Sequence, residues 1–217
     1  LGLNLQKTSN DTYLKTYKIN SPLINSPTFL TSSLDFNVYK ENFSFDVSTI
    51  VYEDLNKKNN DKYEFIYPTF NMNKEVTNET SIAGNFNINS SGYIKHYNTN
   101  TFEKVLINDV IFNSDPFLTD AGFKNDFKIL FKNINTEGKN SKKYKDTLNN
   151  ELASIFQVNS SYPLKKKNKK FINILKPLTS FKFSPYKNKK NLRNQDRRVD
   201  LNSIHNINRI AESDTVE

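Results

Sequence analysis

A chain of 217 residues and net charge +8 has room for one large β domain or two small ones, and its 35% hydrophobic content with a mean hydropathy of −0.71 is low for a packed globular core. Seventeen Phe and eleven Tyr argue against a disordered chain, and five Gly and seven Pro are too few for a linker or a collagen-like chain. The absence of cysteine excludes a disulfide frame and a thiolate metal site, and no run approaches the roughly 18 apolar residues of a transmembrane helix.

Strict alternation of apolar and polar residues is the strongest signal. The chain opens on a candidate strand at 1–6. In "FLTSSLDFNVYK" (29–40), Leu34, Phe36 and Val38 share one side while Ser33, Asp35 and Asn37 take the other. In "NFSFDVSTIVYE" (42–53), Phe43, Phe45, Val47 and Val51 alternate with Ser44, Asp46 and Ser48. A strand follows at 63–71, and in "SIAGNFNINSSG" (81–92) Ile82, Phe86 and Ile88 alternate with Asn85, Asn87 and Asn89. Further strands are predicted at 93–98, 101–112, 123–133, 148–158 and 171–184, with Phe127, Ile129 and Phe131 alternating with Lys128, Leu130 and Lys132. A period of two puts each set on one side of a pleated strand, whereas a helix would mix them. Turn-rich connections are predicted at "KENF", "DLNKKNNDK", "NKEVTNET", "NSSG", "NTNT" and "NTEGKNSKKYKD". The best helical alternative is "TLNNELASIF" (147–156), where the strand reading is preferred. The expected fold is all-β: an antiparallel up-and-down sheet of roughly ten strands, each about nine to twelve residues, longer than the globular mean.

Two environments produce this pattern. A sandwich turns the apolar face inward; an outer-membrane barrel turns it outward to lipid and keeps the polar face in a wet lumen. Alternation does not separate them. Strand length favours the membrane, since a tilted strand needs about nine to eleven residues to cross it. Tyr39, Tyr52, Tyr63, Tyr67, Phe112 and Phe117 near strand ends suit interfacial girdles, or a sandwich rim.

The positive charge fits attraction to a polyanion, or simply a Lys-, Asn-, Ile- and Phe-rich composition. Nucleic-acid binding would need Lys and Arg clustered with aromatics on one face; here they concentrate in connections, and no nucleic-acid partner is expected. His96 and His205 are far apart and lack evident acidic or metal-ligand companions. Neither a P-loop nor G-x-G-x-x-G occurs, and the Glu53–Asp54 pair falls in a turn. No enzyme activity, cofactor or metal is expected.

Several segments, taken in order, resemble the LptD family of lipopolysaccharide-assembly outer-membrane proteins. "LNLQKTSNDTYLKTYKI" is similar to an early barrel segment with a D-D/N-T-Y-L-type turn, here Asn10, Asp11, Thr12, Tyr13 and Leu14. "YEFIYPTFNM" resembles the strand that runs into Pro68, and "LKPLTSFKFSP" the strand between Pro177 and Ser184–Pro185. "DRRVDLNSIHNINRIAESDTVE" is close to the family's D…N/D-R-[IF]…D-x-V/L-E segment, here Asp200, Asn208, Arg209, Ile210, Asp214, Val216 and Glu217.

The resemblance covers essentially the whole chain. It implies part of a large transmembrane β-barrel, residues 1–217 being a partial barrel domain without the N-terminal jellyroll and the C-terminal barrel strands. The opening "LGLNLQKTSN", with no Met, basic leader or apolar signal core, and the stop at Glu217 fit that expectation. The implied role is lipopolysaccharide transport into the outer leaflet of the cell outer membrane. Implied partners are lipopolysaccharide, a plug lipoprotein of the LptE type, a periplasmic lipopolysaccharide-bridge protein acting through the jellyroll, and outer-membrane lipid. The other reading is a secreted or surface β-sandwich serving as an adhesion or binding module. On the barrel reading, Ser33, Asp35, Asn37, Asn85, Asn87 and Asn89 face the lumen. The basic runs at 165–170 and 187–193 are candidates for lipid phosphates, or are solvated connections. Asp196, Arg197, Arg198 and Asp200 offer both signs within five residues, enough to tie a long loop to itself or fold it into the lumen.

Overall fold

The computed structural model describes residues 1–19, 26–80, 82–168, 170–186 and 204–208. In chain order the elements are β1 (Gly2–Asn4), a single helical turn α1 (Tyr13–Thr16), β2 (Phe29–Lys40), β3 (Phe43–Asp54), a 3-10 turn (Asn59–Lys62), β4 (Tyr63–Asn78) and β5 (Gly84–Tyr97). There follow β6 (Thr101–Ser114), β7 (Phe117–Leu118), β8 (Lys124–Lys139), β9 (Asn149–Ser161), β10 (Leu164–Lys167), β11 (Ile172–Leu175) and β12 (Leu178–Phe183). Ten strands form one sheet in the order β1-β2-β3-β4-β5-β6-β8-β9-β12, with β7 added to β8, and β10 and β11 form a separate pair. The sheet is up-and-down: each long strand lies beside its predecessor, as expected of chains joined by hairpins. The helical alternative at 147–156 gives way to β9.

Register turns the alternation into rows. Phe36, Val47 and Phe70 stand opposite one another across β2, β3 and β4, as do Val38, Phe45 and Met72. One residue along, the rows read Asp35, Ser48, Thr69, and then Asn37, Asp46, Asn71. A slip of one residue would mix the two sets, so the pattern pins the pairing. The β3–β4 ladder runs to Ser48↔Thr69 and resumes at Ile50↔Ile66, leaving Tyr67 and Pro68 opposite Thr49 alone. Pro68 thus occupies a β-bulge, a position where a residue without an N–H takes nothing from the ladder.

The strands outrun the sequence reading, for one physical reason. "NSSG" (89–92) lies inside β5, "NKEVTNET" (73–80) is strand as far as Asn78, and "NTEGKNSKKYKD" (135–146) is strand as far as Lys139. Polar residues read as turns when one face of a sheet is assumed to be buried. A sheet with a whole polar face uses them as ladder members. Asn89, for instance, accepts a 2.7 Å bond from Asn73 Nδ2 on the neighbouring strand. Gly92 is not a turn glycine either: a Cβ there would stand 2.6 Å from the Val105 carbonyl and 2.9 Å from the Phe70 ring, so its bareness admits that ring. The predicted strand at 171–184 divides at Lys176 and Pro177 into β11 and β12, which belong to different sheets. Pro177 supplies only its carbonyl, accepting from the Tyr162 amide at 3.2 Å.

By internal contacts the chain divides into two units, Leu1–Lys74 with Asn89–Ile107 and Ile134–Asn150, and Glu75–Ile88 with Asn108–Asn133 and Glu151–Glu217. In the first, Leu14 of α1 packs with Leu30 and Leu55, and Tyr13 lies against them. Leu30 is 2% exposed, whereas Leu34, four residues on and on the same side of β2, is 50% exposed. The helical turn covers the end of an apolar stripe that is otherwise open. In the second unit the buried side of β8 and β9 carries Leu130, Lys132, Ile155, Gln157, Asn159 and Ser161, polar and aliphatic together. The clean polar side read for β2 and β5 does not extend to these strands. Their crowded side buries polar and aliphatic residues alike: Gln157 uses its Nε2 in hydrogen bonds, while its buried Oε1 has no partner among the described residues.

Candidate functional site

The polar sides of the strands form the candidate site. In the first unit the Asp35 carboxylate accepts from Ser33 Oγ at 2.8 Å and from Ser48 Oγ at 2.6 Å. Tyr39 donates its hydroxyl to Asp46, the cross-strand partner of Asn37. Lys95 meets Glu64 at 2.8 Å, and Glu103 accepts from Tyr97 at 2.9 Å and from Ser141 at 2.6 Å. Of the residues read as lumen-facing, Ser33, Asp35 and Asn37 share one side of β2 with these partners, and Asn89 joins through Asn73. Asn85 and Asn87 stand on the same side of β5 as Asn89 by strand period.

A second network lies in the other unit, and sequence reading missed it. Asn159 Nδ2 donates to Asp126 at 2.7 Å, and Asn159 Oδ1 accepts from Gln157 Nε2 and Ser180 Oγ, each at 2.7 Å. Gln157 Nε2 also reaches the His205 carbonyl at 2.9 Å, and Ser180 Oγ lies 2.8 Å from His205 Nδ1. Because the single Ser180 proton goes to Asn159, Nδ1 of His205 must be the protonated nitrogen, donating to Ser180 Oγ. Lys182 Nζ donates to the Asn206 carbonyl. The segment bearing His205 therefore lies bonded along the polar sides of β9 and β12. His205 read as a lone histidine because its partners, Gln157, Asn159 and Ser180, are distant in sequence. The one available signal was the polar alternation of "QVNSS" in β9. Beside the network, Lys132 Nζ meets Asp109 at 2.7 Å.

The opposite side of that unit is apolar and open. Phe86, Phe112, Phe127 and Phe156 form a row with ring centroids 4.6, 5.7 and 6.3 Å apart across β5, β6, β8 and β9, and Phe183 of β12 stands opposite Phe156. These spacings are those of interacting rings. A hollow of about 370 Å³ beside the row is lined mainly by Phe86, Val110, Phe112, Phe127, Ile129 and Phe131.

The motif residues are placed as follows. Asn10 Oδ1 accepts from the Thr12 amide at 3.1 Å and the Thr12 hydroxyl at 3.0 Å, an Asx turn that starts α1. Asp11 lies 3.3 Å from Lys62, which meets Glu53 at 2.7 Å. The bond to Glu53, opposed by partial loss of water and helped by Asp11, raises the Lys62 ammonium above the usual lysine range. Tyr13 stacks near Tyr17, with centroids 4.9 Å apart, and Leu14 is buried. Pro177 and Pro185 bracket β12. Asn208 falls in the segment that carries His205; Asp196, Arg197, Asp200, Arg209, Asp214 and Glu217 lie outside the described residues. Among the described residues no group of three or more His, Cys, Asp or Glu could hold a metal.

No helix among the described residues is long and apolar enough to cross a membrane, which says nothing of strands. The family model described as "LptD: LPS transport system D" matches residues 1–217. Comparison with curated proteins gives no match.

Proposed function

Because the chain belongs to the LptD family of lipopolysaccharide transport proteins, we propose that it is a stretch of the wall of an LptD-type translocon barrel in the outer membrane, with its apolar sides against lipid and its polar sides against the path of the lipopolysaccharide head. The observation that carries this reading is an inversion of ordinary burial. Gln157 is 0% exposed and Phe131 is 58% exposed. A soluble sheet places such residues the other way round. In a bilayer the backbone must be satisfied by strand pairing, because lipid offers no partner, and the long ladders supply it. The barrel's plug lipoprotein and the bridge protein belong to the same proposal.

A β-sandwich adhesion module would cover the apolar sides with a second sheet. The other sheet among the described residues is β10–β11, and all eight of its residues are themselves exposed. That favours the barrel. Photo-crosslinking residues placed at Asn37 and Asn89 of the full-length protein in living cells test the reading. Lipopolysaccharide adducts are expected at both positions while export runs and should disappear when export is halted. Absence of adducts there during active export overturns it.

A further inference from the structure

The connection from β9 to β12 contains the hairpin β10–β11, and neither of its strands pairs with the ten-stranded sheet. Every residue of both strands is exposed, among them Leu164, Ile172, Ile174 and Leu175. A two-stranded hairpin is marginally stable in water at best and needs a surface to pack on. Register puts Lys165 opposite Ile174 and Lys167 opposite Ile172, so each cation stands beside a bulky aliphatic on the same face. That pairing suits an interface, where the aliphatic enters the acyl boundary and the lysine stem runs up to a phosphate.

Charge says what the surface is. Residues 152–195 contain eleven Lys and Arg and no Asp or Glu, so the remainder of a chain of net charge +8 is net −3. No carboxylate of this stretch is available to neutralise the hairpin lysines. At the foot of the hairpin, Tyr162 packs on Phe123 with centroids 4.9 Å apart, both partly exposed, and Phe117 and Leu118 of β7 are open to solvent nearby in the chain. Aromatic and aliphatic side chains at strand ends, capped by lysines, match the boundary between hydrocarbon and headgroups.

We propose that the β10–β11 hairpin docks on the phosphorylated headgroup layer of the membrane that holds the barrel, Lys165 and Lys167 on phosphate and Ile172 and Ile174 of the same face in the acyl boundary. The inference rests on the barrel reading, and the test separates the two. In full-length protein otherwise free of reactive cysteine, Ile174→Cys on the docking face of the hairpin and, separately, Phe131→Cys on the open side of β8 carry an environment-sensitive fluorophore. Each is reconstituted in vesicles of phosphatidylcholine alone or with phosphatidylglycerol. The Phe131 label should be quenched by lipid-borne quencher in both. Quenching of the Ile174 label should require phosphatidylglycerol, and the double change Lys165→Gln, Lys167→Gln should lower its docked fraction relative to undocked by roughly 25-fold, about fivefold per lysine. A lipid-quenched Phe131 label with an Ile174 label that stays in water overturns the hairpin proposal alone. Equal Ile174 quenching in both vesicles, unmoved by the lysine changes, also overturns it. An unquenched Phe131 label overturns the barrel reading beneath it.

Discussion

Asp109→Ala should cost the folded barrel roughly 1.5–3 kcal/mol, the net worth of a hydrogen bond to a charged group. The Lys132 side chain is 3% exposed and that of Asp109 is 20% exposed, with 2.7 Å between the charged atoms. Lys132 sits on the crowded side of β8 next to the aliphatic positions Leu130 and Ile134, so solvent does not replace the lost carboxylate. Asp109 Oδ1, itself buried, has no hydrogen-bond partner among the described residues, so the bond from Lys132 is what this carboxylate gains on folding. The pair is therefore expensive to break but not to replace. Asp109→Leu with Lys132→Met removes both charges at similar bulk and should return most of the loss. The urea midpoint of refolded full-length protein measures both variants. A single substitution as stable as the wild type would mean that the buried Lys132 ammonium is satisfied without this carboxylate.

Leu14→Ala should release the N-terminal turn. Leu14, Leu30 and Leu55 form one buried cluster, and truncating a buried leucine costs about 2–5 kcal/mol where the site cannot collapse. The polar ties of this turn, Asp11 to Lys62 and Lys15 Nζ to Asn56 at 2.7 Å, are exposed or partly so and hold it weakly by themselves. Brief trypsin treatment of membranes bearing the full-length protein reports the change. Cleavage at Lys15 and Lys18 should be slow in the wild type and fast in Leu14→Ala, with the rest of the barrel resistant. Identical cleavage in both would show that the leucine cluster does not hold the turn.

The alternation in β2 and β3 was legible in the sequence almost residue for residue. Phe36 and Val38 against Asp35 and Asn37 determine the strand, its two sides and, with Val47 and Phe45, its register. What was not legible follows from the same property. A polar residue in a sheet with a polar side carries no sign of whether it belongs to a ladder or a turn, so Asn89 to Gly92 and Asn73 to Asn78 read as breaks. The second network was hidden differently. Asp126, Asn159, Ser180 and His205 come from four separate stretches of chain, and only folding makes them neighbours. The motif turn from Asn10 to Leu14 was visible as a motif, but its physical work, capping an apolar stripe with one leucine, depends on Leu30 and Leu55, which no local pattern links to it.

A barrel wall and a sandwich sheet differ in which side of each strand meets hydrocarbon. Spin labels introduced one at a time at residues 33–39 of the full-length protein in bilayers distinguish the two, through collision with oxygen, which concentrates in lipid, and with a water-soluble nickel complex. Oxygen maxima are expected at Leu34, Phe36 and Val38 and nickel maxima at Ser33, Asp35 and Asn37, alternating residue by residue. The same alternation with the two reagents exchanged, or nickel access at every position, would rule out a lipid-facing apolar side.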